Sequence, residues 1–332
     1  MLQTLPLALL LCASPSAQTK IEWSRLTPAN TGIPGDTIVT MVLGADDRPW
    51  IGGHIPFWEQ GGLSHWDGRH WTTLSSVEHA EIESPRFYDM AWGPAGRLWI
   101  GTEDGLLSYD PAVGPDSLLR FDETNTPIRA MEVVGLDFDP TGALWLAIDD
   151  NETGFGGLAR FEPAAGTWEF WDSRSGLPWG AAWPGWDAVD FVACLPDPGG
   201  FSIWFGSGPM GMAIYRNGEF QWFGTPDPAS PTIQPFSFMS ADPVDDAGNA
   251  WMMTSRGLAR RNPDGTFLVT GFPAGFTTEV SVVTALEGGR ADRFVFDRSL
   301  EESPRSGRLA DLQPARADRE RVFTTCASGR TL

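Results

Sequence analysis

FYDMAWGPAGRLWIGTEDGLLSYD, residues 87–110, spells three short strands and the two turns between them. FYDMAW alternates apolar with polar residues, GPAG has the Gly/Pro chemistry of a tight turn, and RLWIGT is a nearly continuous apolar run. After Glu103-Asp104-Gly105 comes LLSYD, closing on an aromatic and an acid, and LLRFD (Leu118–Asp122) reads as a fourth strand.

The unit recurs. Trp99, in the second strand, has counterparts at Trp50, Trp145, Trp204 and Trp251, with successive separations of 49, 46, 59 and 47 residues. A turn precedes each of them (ADDR, GPAG, DPTG, DPGG, DDAG), and a glycine pair opens each third strand: Gly62-Leu63, Gly105-Leu106, Gly157-Leu158, Gly211-Met212 and Gly257-Leu258. Four residues after each glycine stand Trp66, Tyr109, Phe161, Tyr215 and, in the fifth copy, Arg261. Four strands at a period of about 40–50 residues make a β-propeller blade, because a lone four-stranded sheet leaves both faces apolar and ring stacking buries them. The expected fold is therefore an all-β propeller. Its blades run Thr37–Leu74, Phe87–Asp122, Val133–Asp172, Val189–Gly224 and Ser237–Gly271, and a degenerate sixth follows.

The five tryptophans are expected to be packed anchors between blades; burying ~200 Å² of indole at ~25 cal/mol per Å² sets an upper bound near ~5 kcal/mol each. EWSRL (Glu22–Leu26) resembles the fourth strands and is expected to close the ring as the outer strand of the last blade. Residues 20–286 carry the repeats. Residues 287–332 lack tryptophan and are crowded with arginine; they read either as the decayed last blade or as an aberrant or truncated tail.

A net charge of −20 and a pI of 4.4 exclude phosphate-backbone binding, which needs clustered Lys and Arg, so nucleic acid is not an expected partner. Residues 1–17 form an apolar run ending in small residues, as a secretory signal does, and the run is too short to span a bilayer. The expectation is an exported, extracytoplasmic monomer without a membrane span. Cys194 reads as a buried strand residue, and a disulfide to Cys326 has little support.

Gly-x-Leu-Trp-Ile-Gly-Thr followed by Gly-Leu-x-x-aromatic-Asp, at Gly96–Asp110, resembles the repeat of two-component-regulator propellers, found in the periplasmic sensor parts of bacterial hybrid kinases. Ala147 and Met253 depart from it where a glycine stands at Gly101, as does Arg261 where the others have an aromatic. The resemblance implies an extracytoplasmic propeller with a ligand-binding or interaction role. A looser resemblance, to streptogramin lyase-like propellers, implies a magnesium-dependent lyase with a histidine base late in the chain. No histidine follows His79, so none of that family's catalytic positions transfers.

Loops between second and third strands share one face of a propeller with the connections between blades, and the unusual loops here belong to those two classes. They carry His54, Phe57 and Trp58 in blade one, Asp149, Asp150, Glu152 and Phe155 in blade three, and Trp179, Trp183 and Trp186 between blades three and four. Rings on a rim make stacking platforms for sugars or peptides, and the alternative is that they lid the channel or pack on one another. No cofactor is expected. Calcium or magnesium has its best candidates at Asp149, Asp150 and Glu152. Of Asp137, Asp139, Asp245 and Asp246, three sit in first-to-second-strand turns or their entry, where Asp favours the turn itself, and His54 with His79 near Glu59 or Glu81 lacks any metal-ligand spacing. The function expected is recognition of a small glycan, a peptide or a protein partner. A metal-assisted lyase or hydrolase and a purely structural surface scaffold are the alternatives.

Overall fold

The computed structural model describes residues 31–33, 35, 37–54, 60–84, 86–128, 132–149, 155–181, 184–185, 187–197, 200–207, 211–222, 249–254, 257–262 and 267–271. Blade one comprises Thr37–Leu43 (β1), Pro49–His54 (β2), Gly61–Trp66 (β3) and Trp71–Ser75 (β4). Blade two is Phe87–Trp92 (β5), Leu98–Thr102 (β6), Gly105–Tyr109 (β7) and Leu119–Phe121 (β8), and blade three is Val133–Phe138 (β9), Leu144–Asp149 (β10), Gly156–Glu162 (β11) and Thr167–Trp171 (β12). Blade four is Phe191–Asp197 (β13), Gly200–Ser207 (β14), Gly211–Arg216 (β15) and Glu219–Trp222 (β16). Ala250–Thr254 (β17), Gly257–Arg261 (β18) and Phe267–Gly271 (β19) are the second, third and fourth strands of blade five, judged by Trp251 and Gly257.

Each sheet is an antiparallel meander in sequence order, and β1, β5, β9 and β13 lie side by side as the innermost strands. This is a β-propeller of four-stranded blades. The expected closing strand Glu22–Leu26, the first strand of blade five and residues 287–332 lie outside the described residues.

The core lies between sheets. One cluster joins Trp50 and Leu63 of blade one to Met90, Ile100, Leu107 and Tyr109 of blade two, and the pattern repeats with Trp99 against Leu136, Leu146 and Phe161, then Trp145 against Val192, Ile203 and Phe205. At each joint the ruler tryptophan meets the third-strand aromatic of the next blade: Trp50–Tyr109 at 5.8 Å, Trp99–Phe161 at 5.8 Å and Trp145–Tyr215 at 5.2 Å between ring centres. Edge-on and tilted ring pairs at such separations add attraction beyond the area they bury. The spacing of the tryptophans is thus set by sheet-on-sheet contact.

Six residues before the tryptophan the chain solves one packing problem in two ways. In blades one and two the position is Gly44 or Gly93, where a Cβ would lie 3.3 or 2.9 Å from the indole nitrogen. In blade three it is Asp139, whose Oδ2 accepts the Trp145 indole N–H at 2.9 Å. Burial alone would raise the Asp139 carboxyl, but hydrogen bonds from Thr141, Trp145 and the Ala143 N–H outweigh it and hold the group below the usual carboxylate range.

Side chains also stitch the innermost strands together where their backbones splay. The Trp92 indole donates to Leu43 O at 2.7 Å, Asp89 Oδ2 accepts the Leu136 N–H at 3.0 Å, and Asp137 Oδ2 accepts the Cys194 N–H at 2.6 Å. Asp139 serves its turn, accepting the Thr141 and Ala143 N–H groups, whereas Asp137 stands within β9 and serves the joint to blade four.

Burial pushes the Asp89 carboxyl up to about 6, against the pull of the Leu136 and Met90 N–H groups. A group raised in the folded state contributes stability that is present at acid pH and lost as pH rises through its folded value. The wild type should therefore lose about 2 kcal/mol relative to Asp89→Asn between roughly pH 4 and pH 7, one pKa unit being worth ~1.4 kcal/mol. Urea unfolding midpoints of both proteins across that range check this, and a difference that does not change with pH would refute it.

Candidate functional site

Second strands end and third strands begin on the side of the propeller where one blade connects to the next. His54, Thr102, Asp149 and Ser207 close their strands there. The connectors clip onto these ends: the Glu103 N–H donates to Arg86 O, the Asp149 N–H to Glu132 O and the Val189 N–H to Ile148 O, each at 3.1 Å. The face is thus held by backbone hydrogen bonds even though it is built of loops.

Around blade two it gathers charge. Ser84 Oγ donates to Glu103 Oε2 at 2.8 Å, and the Arg86 guanidinium holds the other Glu103 oxygen. From the start of β5 the Tyr88 hydroxyl donates to Glu132 of the next connector. Burial, the bonded Glu132 carboxylate and the charge of Glu103 push the Tyr88 phenol well above its ordinary value, so it remains a protonated donor at any ordinary pH. Asp104 is raised by burial and by Glu103, with Arg86 pulling the other way. One guanidinium, two hydrogen-bonded carboxylates, a serine and a phenol offer donors and acceptors together, the mixture that fixes hydroxyl- or amide-bearing groups. Sequence reading missed this cluster. Its signal was SPRFYD running into the cleanest repeat, with the acidic pair TEDG in that repeat's own loop.

The expected rim residues divide. Phe155, at the entry to β11, is 42% exposed. His54 is buried at the end of β2, between Thr37 and Gly61. Trp179 corrects the expectation: it is fully buried, packs on Phe205 at 5.7 Å, and belongs to the cluster with Leu158, Leu177 and Val189. Apolar packing between blades three and four holds the indole, and in the same connector Asp187, itself buried, accepts the Ser173 N–H at 2.8 Å and ties the loop together. Phe57, Trp58, Trp183 and Trp186 lie outside the described residues.

Among the described residues no three His, Cys, Asp or Glu side chains gather in a metal-binding arrangement. Asp149 is half-buried at the end of β10, while Asp150 and Glu152 lie outside the described residues. His79 is half-buried in the first connector. His65 stacks on Trp50 at 4.2 Å, and burial lowers its pKa. His70 is exposed in the opposite turn, where Asp67 Oδ1 accepts its N–H at 2.7 Å. The free thiol of Cys194 is pushed up to about 12 by burial and by Asp137 and Asp139, which makes it a poor nucleophile. Among the described residues no helix is long and apolar enough to cross a membrane.

No family model and no curated protein matches the chain. Solved structures do. The extracellular domain of a protein assigned as a hybrid two-component system of B. thetaiotaomicron aligns at 17% identity and a TM-score of 0.55, over 82% of this chain and 34% of that one. The extracellular domain of a protein assigned as a one-component system of the same organism aligns at 16% identity and 0.53, over 78% and 33%. The Dos1 propeller aligns at 10% identity and 0.48, over 79% and 65%. This chain spans about a third of the length of the two sensor domains. At these identities the likeness is one of fold, and the resemblance carried by Gly96–Asp110 is met by structures of extracellular sensor domains that share this propeller.

Proposed function

We propose that the chain is an exported propeller that works as a monomeric, sensor-like binding module, recognising a small glycan or a peptide on the face formed by the second-to-third-strand loops and the blade connectors. The observation that carries this reading is the convergence of Ser84, Arg86, Tyr88, Glu103 and Glu132, drawn from two connectors, the start of β5 and one loop, on a face that also presents Phe155. A half-buried ion pair between Arg86 and Glu103 adds at most about 1 kcal/mol to stability, so holding five polar side chains in one place makes more sense as recognition chemistry than as scaffolding. Export is supported by the apolar run of residues 1–17 and by the extracellular origin of the sensor domains with the same fold.

A panel of oligosaccharides and peptides, screened by calorimetry, tests the proposal. For the ligand found, Arg86→Ala, Phe155→Ala and the pair Trp58→Ala with Trp183→Ala should each weaken binding by about tenfold or more, ~1.4 kcal/mol, with unfolding midpoints close to wild type. Wild-type affinity in all three proteins would defeat the choice of face.

A further inference from the structure

The joint between blades four and five departs from the others in two coordinated ways. Where Tyr109, Phe161 and Tyr215 present a ring to the preceding tryptophan, blade five presents Arg261, its guanidinium carbon 5.1 Å from the centre of the Trp204 ring. Arg261 is 4% exposed. Its nitrogens donate to Pro196 O at 3.2 Å and pair with Asp197 Oδ1 at 2.7 Å, and the second Asp197 oxygen faces Arg216. The Asp197 side chain is 3% exposed, against 47% for Arg216.

Pro196 and Asp197 exist as partners only because the first hairpin of blade four is longer. In blades one to three the first strand ends one pair beyond the tryptophan, at Leu43↔Pro49, Trp92↔Leu98 and Phe138↔Leu144. In blade four the ladder continues past the equivalent Cys194↔Ile203 to Leu195↔Ser202, Pro196↔Phe201 and Asp197↔Gly200. The extra pairs place a carbonyl and a carboxylate where a third-strand arginine of the next blade meets them.

We propose that the extended β13–β14 hairpin and Arg261 form a charge-coded joint that fixes which sheet docks on blade four. A buried guanidinium is tolerated only beside a carboxylate and a carbonyl, so blade five fits this site and no other described blade face. Conversely, an aromatic third strand placed here would leave Asp197 buried with one partner, the half-exposed Arg216. Repeats whose faces are otherwise apolar and alike are prone to pairing out of order, and a buried polar pair is an established means of fixing register.

The test is a double-mutant cycle in the full chain, read by urea unfolding. Asp197→Asn should reduce the folding equilibrium constant on the order of a hundredfold in the wild-type background, because it takes the negative charge away from a buried guanidinium, and by tenfold or less in the Arg261→Tyr background, where a ring restores the packing of the other joints. If Asp197→Asn alone fails to fold, its rescue by Arg261→Tyr supports the proposal equally. Equal losses in the two backgrounds, or failure to fold in both, would overturn it.

Discussion

Trp145→Ala is expected to cost about 4 kcal/mol of stability, which would lower the urea midpoint well below that of wild type. The side chain is 1% exposed and lies parallel to Trp171, 9° between planes at 5.7 Å, with Tyr215 of the next blade at 5.2 Å. The Arg160 guanidinium covers the ring at 5.8 Å. Removing the indole therefore empties a joint between two sheets, and the neighbouring strands cannot close the gap without breaking their own ladders. Trp145→Phe separates the contributions. It keeps most of the apolar area but leaves the buried Asp139 without its indole donor, at about 1–2 kcal/mol. Asp139 is held below the usual carboxylate range, so it contributes stability that is present above the unfolded value and lost as pH falls through the folded one. Without the indole that depression shrinks, and the acid limb of the stability curve should move to higher pH in Trp145→Phe. An alanine variant within about 1 kcal/mol of wild type would show that the tryptophans are not the joints of the ring.

How much of this was legible before coordinates depends on the range of each interaction. Trp50, Trp99, Trp145 and Trp204 were readable as anchors because the repeat sets a tryptophan at the same place in each blade, and all four are buried to 7% exposure or less. Arg261 was readable as a departure from the pattern, but the compensating Asp197 was not, since it lies 64 residues away in a hairpin extension that no local motif marks. Trp179 was misread for a related reason. Composition assigns a loop aromatic to the rim, whereas this one is buried against Leu158 of blade three and Phe205 of blade four, contacts that no local motif marks. The Tyr88–Glu132 contact likewise joins residues 44 apart on neighbouring blades. Periodicity reports what neighbouring sheets share, and the candidate site is built from what they do not share.

The glycine that opens each third strand gives the second large effect, and the ring geometry explains why that residue is glycine. Gly105 has φ +127°, and a Cβ there would stand 2.3 Å from Phe121 O, the carbonyl of the neighbouring fourth strand. The same clash recurs at Gly62 with Leu74 O at 2.1 Å and at Gly157 with Trp171 O at 2.5 Å. A carbonyl in a ladder cannot step aside without surrendering its strand pairing, here Leu106↔Phe121, and β8 is only three residues long. Gly105→Ala should therefore cost about 3 kcal/mol or more, with β8 detaching and its amides exchanging freely with solvent. Gly96→Ala is the matched control: φ is +73° in the preceding turn, and nothing lies within 4 Å of the added carbon. That substitution carries the conformational penalty alone, about 1 kcal/mol. Equal costs at the two positions would mean that backbone preference, and not the approach of the fourth strand, places glycine at the start of every third strand.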